Sequence, residues 1–265
     1  MKNKKSIPVI GIPIVNGVKW LEKLLLSINY PVDNVFVINN NGRGEIDEEL
    51  ERLRNIKNKF IKNLYITHLP SNLGVPAAWN LIIKSFLMES YWIICNHDVS
   101  FTPGLLEEIN NIAQHKDVSM IHPRKGAFNT GTYDLFAITE MGVKTIGLFD
   151  ENLYPAYGED SDFIMRIINL DPKTIKELKH SYFHGNELAS CESYEDNGQQ
   201  SSKEEPDLGP KLLEVNNINF EYLDKKWGGW WRGLSPSKYP FDNSDYPQSY
   251  TTWDINFIRR KYLGF

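Results

Sequence analysis

Tyr91-Trp92-Ile93-Ile94-Cys95-Asn96-His97-Asp98 is an uninterrupted apolar run that breaks into a polar knot. Five apolar residues without alternation read as a strand covered on both faces, as in a parallel sheet. The polar residues after it then stand at the strand's carboxyl end, where open α/β sheets bind their ligands. Upstream, residues 76–88 read as a helix and 64–68 as a strand. Ile46, Leu50, Leu53 and Phe60 give a second helix before that, and residues 35–38 another strand. The chain opens with a strand over residues 7–15, followed by Val18, Leu21, Leu24, Leu25 and Ile28 at helical spacing, with Asn16 as its cap.

Downstream, Thr102-Pro103 reads as a cap and first residue of a fourth helix, and residues 118–121 as a fifth strand. Strands alternating with helices at this spacing are the mark of parallel βαβ units. The strand ends carry Asn16, then Asn39-Asn40-Asn41-Gly42, then Ser71-Asn72-Leu73-Gly74, then Asn96-His97-Asp98. After residue 122 the alternation loosens. Residues 133–138 read as a strand, 139–146 as a short helix, 160–170 as a helix, and 174–183 as an apolar strand running into His184. Residues 186–209 are polar and acidic and read as a loop or linker. The tail beyond 220 is rich in aromatics, including Trp227, Trp230, Trp231 and Trp253.

The second chemical feature is Gly158-Glu159-Asp160-Ser161-Asp162, after an aromatic turn and before an apolar helical run. Acids in a first helical turn are favoured by the helix dipole, which alone explains many of them. Adjacent carboxylates also raise each other's proton affinity, so the cluster is a candidate for a general base. Asp98 suits a hard divalent cation, or equally an Asx turn. His184 is a candidate imidazole ligand beside it. The small residues from Asn72 to Asn80 allow close approach of a phosphate or nucleotide at a helix start, or simply a turn.

The chain of 265 residues is 41% hydrophobic with a formal net charge of −5, so it can bury a substantial core and lacks the basic balance of a nucleic-acid binder. Cys95 and Cys191 form neither a disulfide framework nor a cysteine-rich metal site. The basic start Met1-Lys2-Asn3-Lys4-Lys5 runs into a strand rather than a signal-peptide core. The most apolar window, residues 81–95, is short and broken by Lys84 and Glu89, so no transmembrane segment is expected. A cytoplasmic location, with a peripheral membrane position as an option, follows as the default. No Walker, Gly-x-Gly-x-x-Gly or Gly-x-Ser-x-Gly pattern occurs.

Together these segments resemble the family 2 glycosyltransferases of GT-A fold, over residues 7–229. The opening strand through Pro13, Val15 and Asn16 is similar to the family's first strand, and Asn72, Gly74, Ala78 and Asn80 to its Asn-x-Gly loop and helix. Asn96-His97-Asp98 stands at Asp-x-Asp, Gly158 to Asp162 at the acceptor-side Glu-Asp motif, and Lys226-Trp227-Gly228-Gly229 at a Lys-Trp-Gly-Gly segment. Two positions depart: Asn96 replaces the first Asp, and Asn39-Asn40-Asn41 stands where an Asp usually meets the base. An amide hydrogen-bonds but carries no charge, which lowers metal affinity and leaves the base open.

The resemblance implies a Rossmann-like, mostly parallel sheet flanked by helices, with an aromatic-rich C-terminal extension. Residues 1–190 would form the catalytic domain, with a nucleotide-sugar half over 1–122 and an acceptor half over 123–190; residues 191–265 would be an acidic loop and an extension packed on the core. It implies an inverting hexosyl- or deoxyhexosyltransferase using Mn²⁺ or Mg²⁺. Asp160 would be the base, with Glu159 beside it. Donor contacts would come from Pro13, Val15, Asn16, Asn39, Asn40, Asn72, Gly74, Ala78, Asn80, Asn96, His97 and Asp98. Asp98 and His184 would hold the metal, and Tyr157, Gly158, Asp162 and Trp227 would face the acceptor. The donor would be a UDP-, GDP- or TDP-linked sugar and the acceptor a glycan, glycoprotein or lipid-linked sugar; a homodimer is left open. Two other classes stay in view. A sugar nucleotidyltransferase needs a glycine-rich basic loop that residues 11–20 lack. A non-catalytic nucleotide-sugar or carbohydrate binder is kept open by Asn96 and opposed by the Glu159-Asp160 pair.

Overall fold

The computed structural model of the chain describes residues 5–122, 133–167, 172–185 and 208–227. The first half is β1 (Ile7–Ile14), α1 (Val18–Ser27), β2 (Val32–Asn39), α2 (Asp47–Leu53), β3 (Ile61–His68), α3 (Val75–Ser85) and β4 (Tyr91–Cys95). Then come β5 (Val99–Phe101), α4 (Leu105–Ala113), β6 (Met120–His122), β7 (Leu135–Thr139), α5 (Glu140–Ile146) and α6 (Glu159–Ile167). After a 3-10 turn at Pro172–Thr174 follow β8 (Ile175–Glu177), β9 (Tyr182–His184) and α7 (Leu208–Trp227).

Seven strands form one sheet in the order β3-β2-β1-β4-β7-β6-β8. β1 pairs in parallel with β2 and β4, and β2 with β3; β7 alone runs against its neighbours β4 and β6. The sheet is therefore mostly parallel, as the alternation predicts. Successive residues of each strand feed opposite cores. Ile10, Ile12, Ile93, Cys95, Leu135 and Ala137 pack with Leu21, Leu24, Leu25 and Leu106 on one face. Val9, Trp92, Ile94, Phe136 and Ile138 pack with Trp79, Ile82, Val143 and Phe163 on the other. Two buried faces explain the unbroken apolar strands. Gly11 lets α3 approach β1, since a Cβ there would sit 2.3 Å from Ile82 Cγ2.

Several expectations are corrected. Asn16 does not cap α1; Gly17, left-handed at φ 73°, precedes the helix. α2 ends at Leu53, because the chain then turns and Asn58 donates to the Leu25 and Ile28 carbonyls, each at 2.8 Å. Ile56 and Phe60 reach the core from that turn, which mimics a longer helix. Thr102 does not cap the fourth helix either: its hydroxyl bonds the Ser181 carbonyl, and α4 starts after the left-handed Gly104. The strand expected over 174–183 is split in two. Glu108 captures the backbone N–H groups of Lys179 and His180 at 3.1 Å each, so β8 stays in the large sheet while β9 pairs with the unforeseen β5. Within the segment read as a loop or linker, residues 208–209 already belong to α7. The rest of that segment, residues 168–170 of the helix read over 160–170, and Gly228, Gly229, Trp230, Trp231 and Trp253 lie outside the described residues.

Candidate active site

The carboxyl ends of β1, β2, β3 and β4 share one edge of the sheet, set by registers such as Ile14↔Asn39, Asn39↔His68 and Ile10↔Ile93. Because β7 runs the other way, its amino end joins that edge: Asn96 N donates to the Asp134 carbonyl at 2.8 Å. The first half of the edge is held by amides. Asn40 Oδ1 accepts from Leu73 N at 2.8 Å and its Nδ2 reaches the Gly74 carbonyl at 3.3 Å. Asn72 Oδ1 accepts from Gly74 N at 2.7 Å, and Asn41 Nδ2 donates to the Val15 carbonyl at 2.8 Å. Gly74, at φ 82°, lies so close to Tyr154 and Pro155 that a Cβ would meet the Pro155 carbonyl oxygen at 2.9 Å. The loop of residues 72–74 and the turn leading to α6 are thus in direct contact.

Other expected donor residues are spent on the fold. Asn39 donates to Asp47 at 2.6 Å and sits 3.0 Å from His68 Nδ1, turned toward α2. Asn80 is buried and braces α3 against the chain before α6, exchanging bonds of 2.9 Å with the Phe149 backbone and one of 2.8 Å with Glu151. Ala78 is buried in α3, whereas Pro13, Val15 and Asn96 are partly exposed at the edge and Asn16 is buried there.

Asp98, His184 and Asp134 form one chain of contacts. His184 Nδ1 lies 2.9 Å from Asp134 Oδ2, and its Nε2 lies 3.3 Å from Asp98 Oδ1. β9 delivers the histidine through its pairing with β5, Val99 opposite His184. Burial disfavours the imidazolium, but the hydrogen bonds and charges of Asp134 and Asp98 outweigh it and raise the His184 pKa to about 10. Burial would likewise raise Asp98; the His184 contact and the neighbouring His97 charge hold it below the ordinary carboxylate value. Asp98 Oδ2 is buried and takes no hydrogen bond. A carboxylate oxygen without a partner, an imidazole beside it that would give up its Nε2 proton to a cation, and a second carboxylate behind the imidazole match a divalent-cation donor set in which the outer acid orients the ring. Among the described residues no group of three such side chains is arranged to hold a cation alone. Substrate phosphates and water would complete the shell, as Mg²⁺ and Mn²⁺ commonly require. Asp134 escaped the sequence reading, although an acid directly before an apolar run was the available signal.

The acidic pair sits at the start of α6. Tyr157 has φ 69° and Gly158 φ 95°, and the helix begins at Glu159. Glu159 is buried, with Oε2 lacking any hydrogen bond. Burial, and then the adjoining Asp160 charge, push its pKa well above the usual value, favouring a neutral carboxyl. Asp160 is partly exposed and accepts from Ser161 N at 2.7 Å. Burial, only partly offset by main-chain and Ser161 hydrogen bonds, moves it up to about 6. A base of that pKa is ionised at neutral pH and still binds a proton usefully. The residues before β7 touch on both clusters: Asp134 contacts His184, and the Asp160 charge adds to burial in raising the phenol of Tyr133.

Two expected acceptor residues turn inward. Asp162 is fully buried, and Trp227, 1% exposed, donates its indole N–H to Asp162 Oδ1 at 2.9 Å. A ring enclosed in this way cannot stack on a sugar; it anchors α7.

Comparisons with known proteins agree with this geometry. A sequence profile described as glycosyl transferase family 2 matches residues 9–169. A galactofuranosyl glycosyltransferase of Leishmania donovani is 25% identical over 229 residues, covering 62% of this chain and 53% of the relative. The chain thus spans about half the length of that curated relative. Residues 1–349 of S. aureus TarS, solved with UDP-GlcNAc, match with a TM-score of 0.52 at 16% identity, over 66% of this chain and 57% of that one. GalNAc-T7, solved with UDP, GalNAc and Mn²⁺, matches with a TM-score of 0.60 at 11% identity, over 87% and 50%. At these identities the structural likenesses establish the fold.

Proposed function

The chain belongs to glycosyl transferase family 2, and we propose that it transfers a hexosyl or deoxyhexosyl group from a nucleoside-diphosphate sugar to an acceptor hydroxyl, with inversion. The observation that carries the reading is Asp160: a partly exposed carboxylate at a helix start with its pKa raised to about 6. In a single displacement the acceptor oxygen bonds to the anomeric carbon while the carbon–oxygen bond to the diphosphate breaks, its electron pair leaving with the phosphate. Asp160 takes the acceptor hydroxyl proton as that oxygen attacks. Glu159, favoured in its neutral form, offers a hydrogen bond to a sugar or acceptor oxygen. Asp98 and His184 would hold Mn²⁺ or Mg²⁺, oriented by Asp134; a cation there supplies positive charge to the leaving diphosphate. The backbone around Asn16, Asn40 and Gly74 lines the donor edge.

The ligands in the structural relatives, UDP-GlcNAc with TarS and UDP with GalNAc-T7, put UDP first among UDP-, GDP- and TDP-linked donors. A glycan, glycoprotein or lipid-linked sugar is the acceptor class. No helix among the described residues is long and apolar enough to cross a membrane.

The test is incubation of the chain with a panel of UDP-, GDP- and TDP-sugars, with and without Mn²⁺, following release of the free nucleotide. Sugar-specific release that needs Asp160 supports the reading. Tight nucleotide binding with no release in any combination assigns the chain to the non-catalytic binders instead. Asp98→Ala should weaken UDP binding mainly when Mn²⁺ is present; an equal loss with and without the ion removes Asp98 from the metal role.

A further inference from the structure

The acidic turn that presents Glu159 and Asp160 is held from outside by one face of α7. Asn219 Nδ2 donates to the Ala156 and Tyr157 carbonyls at 3.0 and 2.9 Å. Tyr222 donates to Asp150 Oδ2 at 2.7 Å, and Lys226 Nζ reaches the same oxygen at 2.9 Å and also contacts Asp162 Oδ1. Trp227 completes the set on Asp162, whose other oxygen pairs with Arg166 at 2.9 Å. These residues follow the helical spacing i, i+3, i+7, i+8, so one face carries all of them. Leu223, on that face, lies 3.1 Å from where a Cβ on Gly158 would be. Tyr157 is a non-glycine residue at φ 69°, a conformation that persists only where surroundings impose it. The Asn219 bonds are among the contacts that hold this turn, directly before the helix start.

We propose that α7 is part of the catalytic machinery: Asn219, Tyr222, Lys226 and Trp227 are positioning residues that hold the 150–162 segment so that Asp160 faces the reacting hydroxyl. None of them touches substrate. Their effect passes through Asp150, Asp162 and the carbonyls of Ala156 and Tyr157. The inference rests on the transferase reading for its kinetic consequences, but its structural core does not.

The experiment uses the full chain with Asn219→Ala and Trp227→Phe, the second keeping a large buried ring while removing the N–H bonded to Asp162. Both should lower kcat about tenfold to a hundredfold, as small misplacements of a reacting group do. The donor KM should change far less than kcat, because the bonds removed end on residues 156–162 and not on the Tyr154 and Pro155 contact with Gly74. The acidic limb of the pH–rate profile should also move down from the value of about 6 that burial imposes on Asp160. A purely structural helix would instead reduce the folded fraction and leave kcat per folded molecule and the pH limb unchanged. If the wild type transfers sugar, Asp160→Asn does not, and both helix variants keep wild-type kcat and pH limb, the inference is overturned while the transferase reading stands. If the wild type transfers no sugar at all, that reading fails, and amide hydrogen exchange decides the inference. Faster exchange confined to residues 153–162 in Asn219→Ala supports it; unchanged exchange there overturns it.

Discussion

In the proposed reaction Asp160 carries opposite demands, since the desolvation of its carboxylate that would make it a useful base also costs the fold stability. Asp160→Asn keeps the size and removes the basicity, so kcat should fall on the order of a hundredfold or more with donor binding little changed. For the wild type the base is active when ionised, so kcat should rise with pH through about 6 and then level; the Asn variant should lack that limb. Stability should move the other way. The folded pKa is raised from 3.8 to about 6, so the contribution favouring the fold is present below pH 3.8 and lost as pH rises through 6. Asp160→Asn should therefore unfold at higher urea than the wild type at pH 7.5 and show no such advantage at pH 3.5. A variant that loses both activity and stability at pH 7.5 contradicts this account. At this scale the residues proposed to carry the chemistry were legible as candidates: Asp98, His184, Glu159 and Asp160 stand in short polar motifs beside apolar runs. Asp134 was passed over: an acid before an apolar run is a visible signal, but its place at the edge depends on β7 running against β4, which composition does not encode. Asn39 and Asn80 looked like ligand contacts because an amide reads the same whether its partners are substrate or, as here, Asp47 and the Phe149 backbone.

Periodicity identified most elements because their buried faces are apolar, as in α1 with Val18, Leu21, Leu24 and Leu25. α7 defeats that reading. Its inward residues include Asn219 and Lys226, so apolar spacing fades where the helix is most engaged. The boundaries of α2 and α4 slipped for a related reason, since Ile56, Phe60 and Thr102 serve long-range contacts that sequence spacing attributes to the nearest helix. The turn before α3 gives an element-scale prediction. Gly74 has φ 82° and ψ 169°, and any Cβ there meets the Pro155 carbonyl oxygen and the Tyr154 ring at 2.9 Å. Gly74→Ala should destabilise the chain by about 1–3 kcal/mol from backbone strain, with the clash adding to that. On the proposed transferase reading, in which this loop lines the donor edge, it should also raise the donor KM more than it lowers kcat. Urea unfolding and steady-state kinetics check both halves. An unchanged unfolding midpoint with unchanged KM means the loop relaxes freely and is not held as described.

On the scale of the molecule, α6 and the chain leading to it are joined to α7 by a buried ionic knot: Lys226 between Asp150 and Asp162, with Arg166 on the far oxygen of Asp162. Lys226, Asp150 and Asp162 are each 0% exposed at the side chain. Such a knot gives little net stability when intact, because desolvation offsets the attraction, but losing one partner strands the others. Lys226→Met nearly conserves volume, leaves the buried Asp150 without a cation and leaves Asp162 with Arg166 alone. It should destabilise the chain by about 3–5 kcal/mol at pH 7. The acid dependence distinguishes this cause from simple mispacking. In the wild type, burial opposes the ionised form of Asp150, but Lys226 and the hydrogen bonds around it hold its pKa below the ordinary value of 3.8. That group's stabilisation is complete above pH 3.8 and is lost as pH falls through the lower, folded value. Without Lys226 the Asp150 carboxylate loses the charge that holds its pKa down, protonates more readily, and its cost disappears with acid. The stability gap between wild type and Lys226→Met, measured by urea unfolding from pH 7 down to pH 3, should therefore narrow steadily with acid. A gap of constant size across that range would place the loss in packing and leave the charges of the knot without a role.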